Sequence, residues 1–328
     1  MKRMVIMLMV VLLVGALFAM VYKFISQQAH EMKSKIVIVT KSSDRNLEFW
    51  QALAAGAKVA AKEFGVEIEI VGPRAESDVN GQMNILDNIV DYGPQPQVII
   101  LAPIDADKMT PIAEKIKKAG IELITIDSSV KGKLYPSVIA TDNMAAGEKA
   151  AAEAVRLLPS SSRVAIININ KGSTTFFERE RGIRQKLAEY PDFQIKYTLF
   201  CDGEEEKAYE ITKNLLSEGD SIEGIIALNE TATQGAARAV KEIGLNRDVK
   251  LIGFDSSAQE INSLEEGYIQ ALVVQKPFNM GYLAVKSSVQ LLNKSKIDSQ
   301  IDTGSEIITQ ANMFTDENEK LLFTFGER

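Results

Sequence analysis

Short runs of apolar, mostly β-branched residues alternate with longer amphipathic stretches along most of this chain. The stretches between the runs keep helical spacing, as at Phe49, Leu53, Ala57 and Ala60. Short buried strands separated by segments of helix length are typical of βαβ units, in which helices cover both faces of a parallel sheet. The sequence therefore predicts an α/β fold. The apolar runs expected to form strands include residues 35–39, 98–101, 123–126, 164–170, 224–228 and 249–254.

The βα pattern changes character near residues 135–142. The chain has 328 residues, which exceeds the length of a typical single-domain core. The pattern looks like one βα module used twice, so we expect two doubly wound lobes, with the chain crossing between them in this region.

The charge balance argues against nucleic acid as a partner. Acidic residues outnumber basic residues by 44 to 37, which gives a net charge of −7. Such a surface repels a phosphate backbone.

The residues that most catalytic and metal sites require are nearly absent. Cys201 is the only cysteine, and His30, just after the apolar N-terminal segment, is the only histidine. A disulfide, a thiolate zinc site and a Ser/His or Cys/His pair in the globular part are therefore excluded, and no phosphate loop or dinucleotide fingerprint occurs. Asp127 and Asp255 could imitate a hydrolase pair, although nothing assigns them different acidities. We expect a protein that is not an enzyme and that has no cofactor or metal.

The N-terminal segment predicts a membrane anchor. Residues 4–25 are apolar except for Lys23, and Lys2 and Arg3 precede them. The run is long enough to cross a bilayer as a helix, and the preceding basic residues favour a cytoplasmic N-terminus. A cleaved signal peptide is the alternative, with a weak processing site at residues 17–19. We expect an uncleaved anchor over residues 1–25, a linker over residues 26–34 and a binding domain outside the membrane.

Polar side chains follow several of the predicted strands. In open α/β sheets, ligands bind beyond the carboxyl ends of the strands. Asp and Asn also cap helices, so each one alone has a structural explanation, but the enrichment as a set indicates a polar ligand. The candidates are Asp127, Asn229, Asp255 and Gln275.

Two further features could contribute to a binding site. Phe49 and Trp50 begin the first helix after the first strand, where one ring could face the ligand or both could belong to the core. Arg181 lies in a mixed charge run at the start of the first helix of the second lobe. Its guanidinium could donate paired hydrogen bonds, or the run could be a solvated helix face.

Residues 35–314 resemble the type I periplasmic sugar-binding proteins, the ribose- and xylose-binding group. The resemblance rests on short motifs that occur in family order. They are Phe49-Trp50 with Gly56, residues 124–127, residues 139–143 with Gly147, residues 179–182, residues 227–230 with Gly235, residues 252–255, and residues 275–277.

The resemblance implies a bilobed fold with a three-strand hinge and a small-molecule site between the lobes. Crossings near Thr141, Gln275 and Gly304 divide the chain into one lobe of residues 35–141 plus 276–304 and another of residues 142–275 plus 305–328. The implied ligand-binding residues are Phe49, Trp50, Asp127, Arg181, Asn229, Asp255 and Gln275, with Asn46 and Ser128 as secondary candidates. The chain departs from many ribose binders at Ser128, where they have arginine, and at residues 47–48, where they have Asn-Pro.

The resemblance also implies a ligand and a class of partner. The expected ligand is a monosaccharide, either a pentose or a hexose. A permanent anchor favours a membrane-bound sugar sensor for a partner such as a histidine kinase, and the alternative is the substrate-binding subunit of a sugar ABC transporter. A repressor of the same fold needs an N-terminal DNA-binding motif, and residues 1–33 offer an apolar helix instead.

Overall fold

The computed structural model describes residue 20 and residues 35–132, 134–217, 222–244 and 248–322. Except for Met20, the predicted anchor and linker lie outside the described residues. Within the described part, no helix is long and apolar enough to cross a membrane.

The first lobe is built on a parallel sheet of six strands in the order β11-β5-β4-β3-β1-β2. The strands are β1 (Lys35–Val39), β2 (Glu67–Val71), β3 (Val98–Leu101), β4 (Glu122–Ile126), β5 (Val138–Ala140) and β11 (Gln300–Asp302). The helices of this lobe are α1 (Glu48–Phe64), α2 (Val79–Asp91), α3 (Thr110–Lys118) and α9 (Pro277–Leu292).

The second lobe repeats this plan with six strands in the order β12-β10-β9-β8-β6-β7. The strands are β6 (Arg163–Asn168), β7 (Gln194–Phe200), β8 (Gly224–Ala227), β9 (Lys250–Phe254), β10 (Ala271–Gln275) and β12 (Ser305–Ile308), of which β12 runs antiparallel to β10. The helices are α4 (Asn143–Leu157), α5 (Thr174–Leu187), α6 (Glu205–Ser217), α7 (Glu230–Ile243), α8 (Ala258–Glu265) and α10 (Asp316–Leu322).

The central strands are buried on both faces because alternate side chains point to opposite sides of the sheet. In β1, Ile36 and Ile38 pack with α1 and α9, whereas Val37 and Val39 pack with α2 and α3. This arrangement explains why the strands appear in the sequence as continuous apolar runs. The predicted fold of two α/β lobes with parallel sheets is confirmed.

The chain passes between the sheets three times, from β5 to α4, from β10 to α9 and from β11 to β12. Two of these passages are joined by a hydrogen bond in which the Thr141 hydroxyl donates to Gln275 Oε1 at 3.0 Å. Each lobe is thus assembled from separate stretches of chain, and the carboxyl ends of the parallel strands of both sheets face the cleft between the lobes.

Candidate functional site

A cleft between the lobes gathers side chains from the carboxyl ends of both sheets. The space between atoms in this cleft totals about 350 Å³, part of which is open to solvent. The lining residues are Lys41, Leu47, Phe49, Trp50, Glu76, Asp127, Thr175, Phe176, Arg179, Asn229, Glu230, Asp255 and Gln275.

Most of the residues selected from the sequence meet in this cleft. They come from loops that follow strands of both lobes, as expected if the ligand binds beyond the strand ends. The residues that the structure brings together are Phe49, Trp50, Asp127, Asn229, Asp255 and Gln275.

Arg181 does not belong to the cleft, and the sequence-based assignment is corrected to Arg179. Arg181 is exposed, and its Nε lies 3.3 Å from Met144 Sδ. Positions two apart on a helix point about 200° apart, because each residue turns the helix by about 100°. Arg179 is therefore on the opposite face of α5, where it is only 1% exposed and lines the cleft.

The Arg179 guanidinium is held by three contacts and keeps one donor free. Nε donates to Asn143 Oδ1 at 2.9 Å, Nη1 donates to the Leu228 carbonyl at 2.6 Å, and the Phe254 ring lies 4.3 Å away. Nη2 is buried without a hydrogen-bond partner among the described residues. A buried unpaired donor is costly, so an acceptor on a bound ligand would stabilise this arrangement.

Two glycines allow the helix that carries Arg179 to pack closely against α4. A Cβ on Gly147 would lie 2.1 Å from the Arg179 carbonyl oxygen, and a Cβ on Gly182 would lie 2.2 Å from that of Met144. Only glycine permits such close approach of two helix backbones. The backbone position of Arg179 therefore depends on Gly147.

Lys41 and Asp127 form a buried ion pair on the first lobe. Lys41 follows β1 and Asp127 follows β4, and Lys41 Nζ lies 2.6 Å from Asp127 Oδ2. Lys41 Nζ also donates to Ser173 Oγ of the second lobe at 3.2 Å. The pair joins the two sides of the cleft and leaves the second Asp127 carboxylate oxygen available as an acceptor.

The secondary candidates Asn46 and Ser128 do not line the cleft. Asn46 is exposed, and its backbone N–H donates to Asp44 Oδ1. Ser128 is buried, but its hydroxyl donates to the Pro103 carbonyl oxygen at 2.8 Å and stabilises the loop after β3.

Glu76 lies on the wall of the cleft and bonds to both lobes. Its Oε1 accepts from Trp50 Nε1 at 2.8 Å, and its Oε2 accepts from Asn229 Nδ2 at 3.0 Å. Burial raises the pKa of Glu76, while the nearby Lys41 charge opposes this rise. Asn229 also caps α7 through its Oδ1, so it combines the structural and the site role that the sequence left open.

Asp255 occupies the second-lobe side of the cleft. Its Oδ1 accepts from Gln275 Nε2 at 2.7 Å, and its Oδ2 accepts from the Glu230 backbone N–H at 3.0 Å. Burial raises the pKa of Asp255, and the Arg179 charge opposes this rise. Asp127 and Asp255 have φ angles of 64° and 79°, a left-handed conformation that is uncommon outside glycine and that often marks a functional site.

Two aromatic side chains form an apolar wall in this polar cleft. The rings of Phe49 and Trp50 meet edge to face, with centroids 4.9 Å apart and planes at 85°. Both rings line the cleft, as the resemblance to the sugar-binding proteins implies.

Four ionisable residues of the cleft were not predicted from the sequence: Lys41, Glu76, Arg179 and Glu230. Lys41 lies two residues beyond the end of β1, and Glu76 lies in a loop with no recognisable motif. Arg179 could have been found from helical spacing, since it continues the buried face formed by Phe176 and Ile183.

The lobes are in a closed arrangement. Besides the Glu76–Asn229 bond, the Ala106 N–H of the first lobe donates to the Gly172 carbonyl of the second lobe at 2.9 Å. The Thr175 hydroxyl likewise donates to the Asp127 carbonyl at 2.9 Å.

Comparisons with known proteins agree with this architecture. The periplasmic binding protein domain family matches residues 36–296. The ribose import binding protein of Bacillus subtilis strain 168 is 26% identical over 282 residues, which cover 85% of this chain and 88% of that protein.

Solved structures are similar over nearly their whole length. A carbohydrate transporter solute-binding protein from Agrobacterium radiobacter, in complex with D-arabinose, has 31% identity and a TM-score of 0.84 and covers 89% of this chain and 99% of its own. A sugar transporter from Clostridium phytofermentans has 36% identity and a TM-score of 0.78, with coverage of 85% and 99%.

These relatives are binding proteins rather than enzymes, which confirms the expectation that this chain is not an enzyme. The family match spans both lobes, and the cleft lies where ligands bind in open α/β sheets. The chain belongs to the type I periplasmic binding proteins.

Proposed function

We propose that this chain binds one neutral monosaccharide, a pentose or a hexose, in the cleft between its lobes. The observation that carries the proposal is the unpaired Nη2 of Arg179, a buried donor in a cleft that also contains carboxylate acceptors and the rings of Phe49 and Trp50. Hydroxyl groups of a sugar both donate and accept, and the apolar C–H face of its ring matches an aromatic wall.

The charges of the cleft favour an uncharged ligand. Its lining contains four carboxyl groups, on Glu76, Asp127, Glu230 and Asp255, and two cationic groups, on Lys41 and Arg179. Sugar hydroxyls can form hydrogen bonds with these groups whether they are ionised or protonated, whereas the carboxylate of a sugar acid would be repelled by those that are ionised. We therefore expect aldoses or ketoses to bind and aldonic acids to be rejected.

The relatives support the same ligand class. Their names and complexes refer to ribose and D-arabinose, which are small neutral sugars. Here Lys41 supplies the cation beside Asp127, and Ser128 stands where many ribose binders have arginine, so the donors available to the sugar differ from those of a ribose site.

Ligand binding is expected to favour the closed state. A sugar held between Asp127 on one lobe and Arg179 on the other makes its full set of contacts only when the lobes meet, so it shifts the population toward closure. The closed surface is then available to a partner at the membrane.

The proposed partner is a membrane protein that binds the closed state selectively on the outer side of the membrane. The apolar run of residues 4–25 would anchor this chain in the membrane, and a permanently anchored chain favours a sensor role beside a protein such as a histidine kinase. The alternative is delivery to a sugar ABC permease, and the import and transporter names of the relatives support it.

Two experiments test these proposals. A thermal-shift screen of the full chain should give an increase in Tm with a neutral pentose or hexose and none with D-gluconate or D-ribonate; stabilisation only by the acids would contradict the ligand class. Co-purification from detergent should recover a kinase in a sugar-dependent way, whereas recovery of permease subunits alone would assign the transport role.

A further inference from the structure

The first helix of the first lobe begins without a cap from its own lobe. Helix α1 starts at Glu48, and its N-cap residue, Leu47, has no side-chain acceptor. The free N–H groups at a helix start need acceptors, since no preceding helical turn supplies carbonyl oxygens to them. Here the N–H groups of Glu48 and Phe49 donate to Oε1 and Oε2 of Glu230, each at 3.1 Å.

Glu230 belongs to the other lobe. It is the first residue of α7, is only 3% exposed, and is steadied within its own lobe by Gln234 Nε2, 3.3 Å from its Oε1. The oxygens of its carboxyl group therefore take the place of a helix cap from the first lobe. Because Phe49 lines the cleft, this contact fixes the backbone that carries one wall of the site.

The reverse contact also occurs. The N–H of Ala258, the first residue of α8 in the second lobe, donates to Glu48 Oε1 of the first lobe at 3.0 Å. Each lobe therefore supplies a glutamate to the start of a helix in the other lobe. These bonds can exist only while the lobes are together.

We propose that Glu48 and Glu230 form a reciprocal latch that stabilises the closed conformation and positions Phe49 against the ligand. This inference rests on the proposed sugar-binding function. When the lobes separate, water must replace the oxygens of both glutamates at the helix starts. The latch slows opening, so its main effect is on the rate at which the sugar leaves.

The test uses the full chain with Glu48→Gln, Glu230→Gln and Glu230→Asp. Glutamine keeps the length of the side chain but places an amide NH₂ group, which donates rather than accepts, against one backbone N–H. At position 230, aspartate is one methylene too short to reach the N–H groups of both Glu48 and Phe49. Glu122→Gln is the control, because Glu122 is an exposed glutamate on β4 far from the cleft. Affinity and dissociation rate are measured with whichever of D-ribose, D-arabinose, D-allose and D-glucose binds the unaltered chain.

The expected result is a loss of affinity of roughly five- to tenfold in each latch variant, mostly as faster dissociation, and no change in the control. Glu48 lies outside the lining of the ligand cleft, so its effect cannot come from a lost sugar contact. A distance measurement between labels on Lys118 and Glu210, exposed residues of the two lobes, should show wider separation in the variants, with and without sugar.

Unchanged dissociation rates together with unchanged lobe distances in all three variants would overturn the latch. If the unaltered chain binds none of the sugars, the proposed function fails, whereas the sugar-free distances still decide whether the glutamates hold the lobes together.

Discussion

Lys41 Nζ lies 2.6 Å from Asp127 Oδ2, and both side chains are almost completely buried. Lys41 follows β1 and Asp127 follows β4, two strands of the first-lobe sheet that are separated by β3. The Thr175 hydroxyl of the other lobe donates to the Asp127 carbonyl oxygen. Where many ribose binders place an arginine next to this aspartate, the chain has Ser128, which is bonded away from the cleft. Lys41, which follows β1, therefore compensates the charge of Asp127.

Lys41→Met should reduce both stability and sugar affinity. Removal of one partner leaves Asp127 as a buried charge without compensation, which costs about 3–5 kcal/mol of unfolding free energy. Lys35→Met is the matched control, since Lys35 pairs with Glu69 at the surface and should cost at most about 1 kcal/mol. Urea denaturation measures both, and equal losses in the two variants would show that the buried pair has no special role.

Arg179→Ala should abolish sugar binding, and Arg181→Ala should leave it unchanged. Arg179 offers its free Nη2 to the ligand, whereas Arg181 points away from the cleft. Arg179→Lys should also bind poorly, because a single ammonium cannot replace the bonds to Asn143 and Leu228 while also donating to the sugar. Calorimetry decides between the two positions, and a loss confined to the Arg181 variant would reverse this assignment.

These two arginines illustrate what the sequence could and could not predict. The strands and their polar ends follow from local periodicity, which is why the sequence alone points to Asp127, Asn229, Asp255 and Gln275, all of which line the cleft. The run of alternating charges in α5 identified the right segment but not the right face, because the buried side of a helix is defined by what packs against it.

The remaining cleft residues depend on contacts between distant segments. Glu76 is held in the cleft by hydrogen bonds from Trp50 and Asn229, one residue from each lobe. Glu230 is held there by a hydrogen bond from the backbone of α1. No local pattern encodes such a meeting of two lobes. The same holds for Lys41, since a lysine after a strand is ordinarily solvated until a partner such as Asp127 is brought to it.

The unfolding free energy should fall as the pH rises from about 5 to about 8. Burial, and then the charge of Asp255, raises the pKa of Glu230 from 4.5 to about 8. Within this window the folded protein keeps a proton that the unfolded chain has lost, so each raised group reduces stability with increasing pH, by at most about 1.4 kcal/mol per pH unit. Burial also raises the pKa of Glu260, so this residue contributes to the same decrease in stability.

Urea denaturation across this range measures the slope, and Glu230→Gln should make it shallower because one titrating group is removed. A slope of opposite sign, or an identical slope in the variant, would contradict the raised pKa of Glu230.

Gly147→Ala should weaken sugar binding although Gly147 lies outside the cleft. Its added methyl would meet the Arg179 carbonyl oxygen at 2.1 Å, so α4 and α5 must separate and the guanidinium must move. Overpacking of this kind costs about 1–3 kcal/mol. Gly93→Ala is the control, since its nearest neighbour would lie at 3.9 Å. Thermal unfolding and calorimetry check both variants, and unchanged binding in Gly147→Ala would show that the helix spacing does not position Arg179.

Calorimetric titration of the full chain with neutral pentoses and hexoses tests the central claim most directly. We predict that at least one such sugar binds with a stoichiometry of one per chain. Asp127→Ala, Asn229→Ala and Asp255→Ala should each abolish the signal, because each removes a hydrogen-bonding group from the cleft between the lobes. No binding of any neutral sugar, or binding that persists unchanged in all three variants, would contradict it.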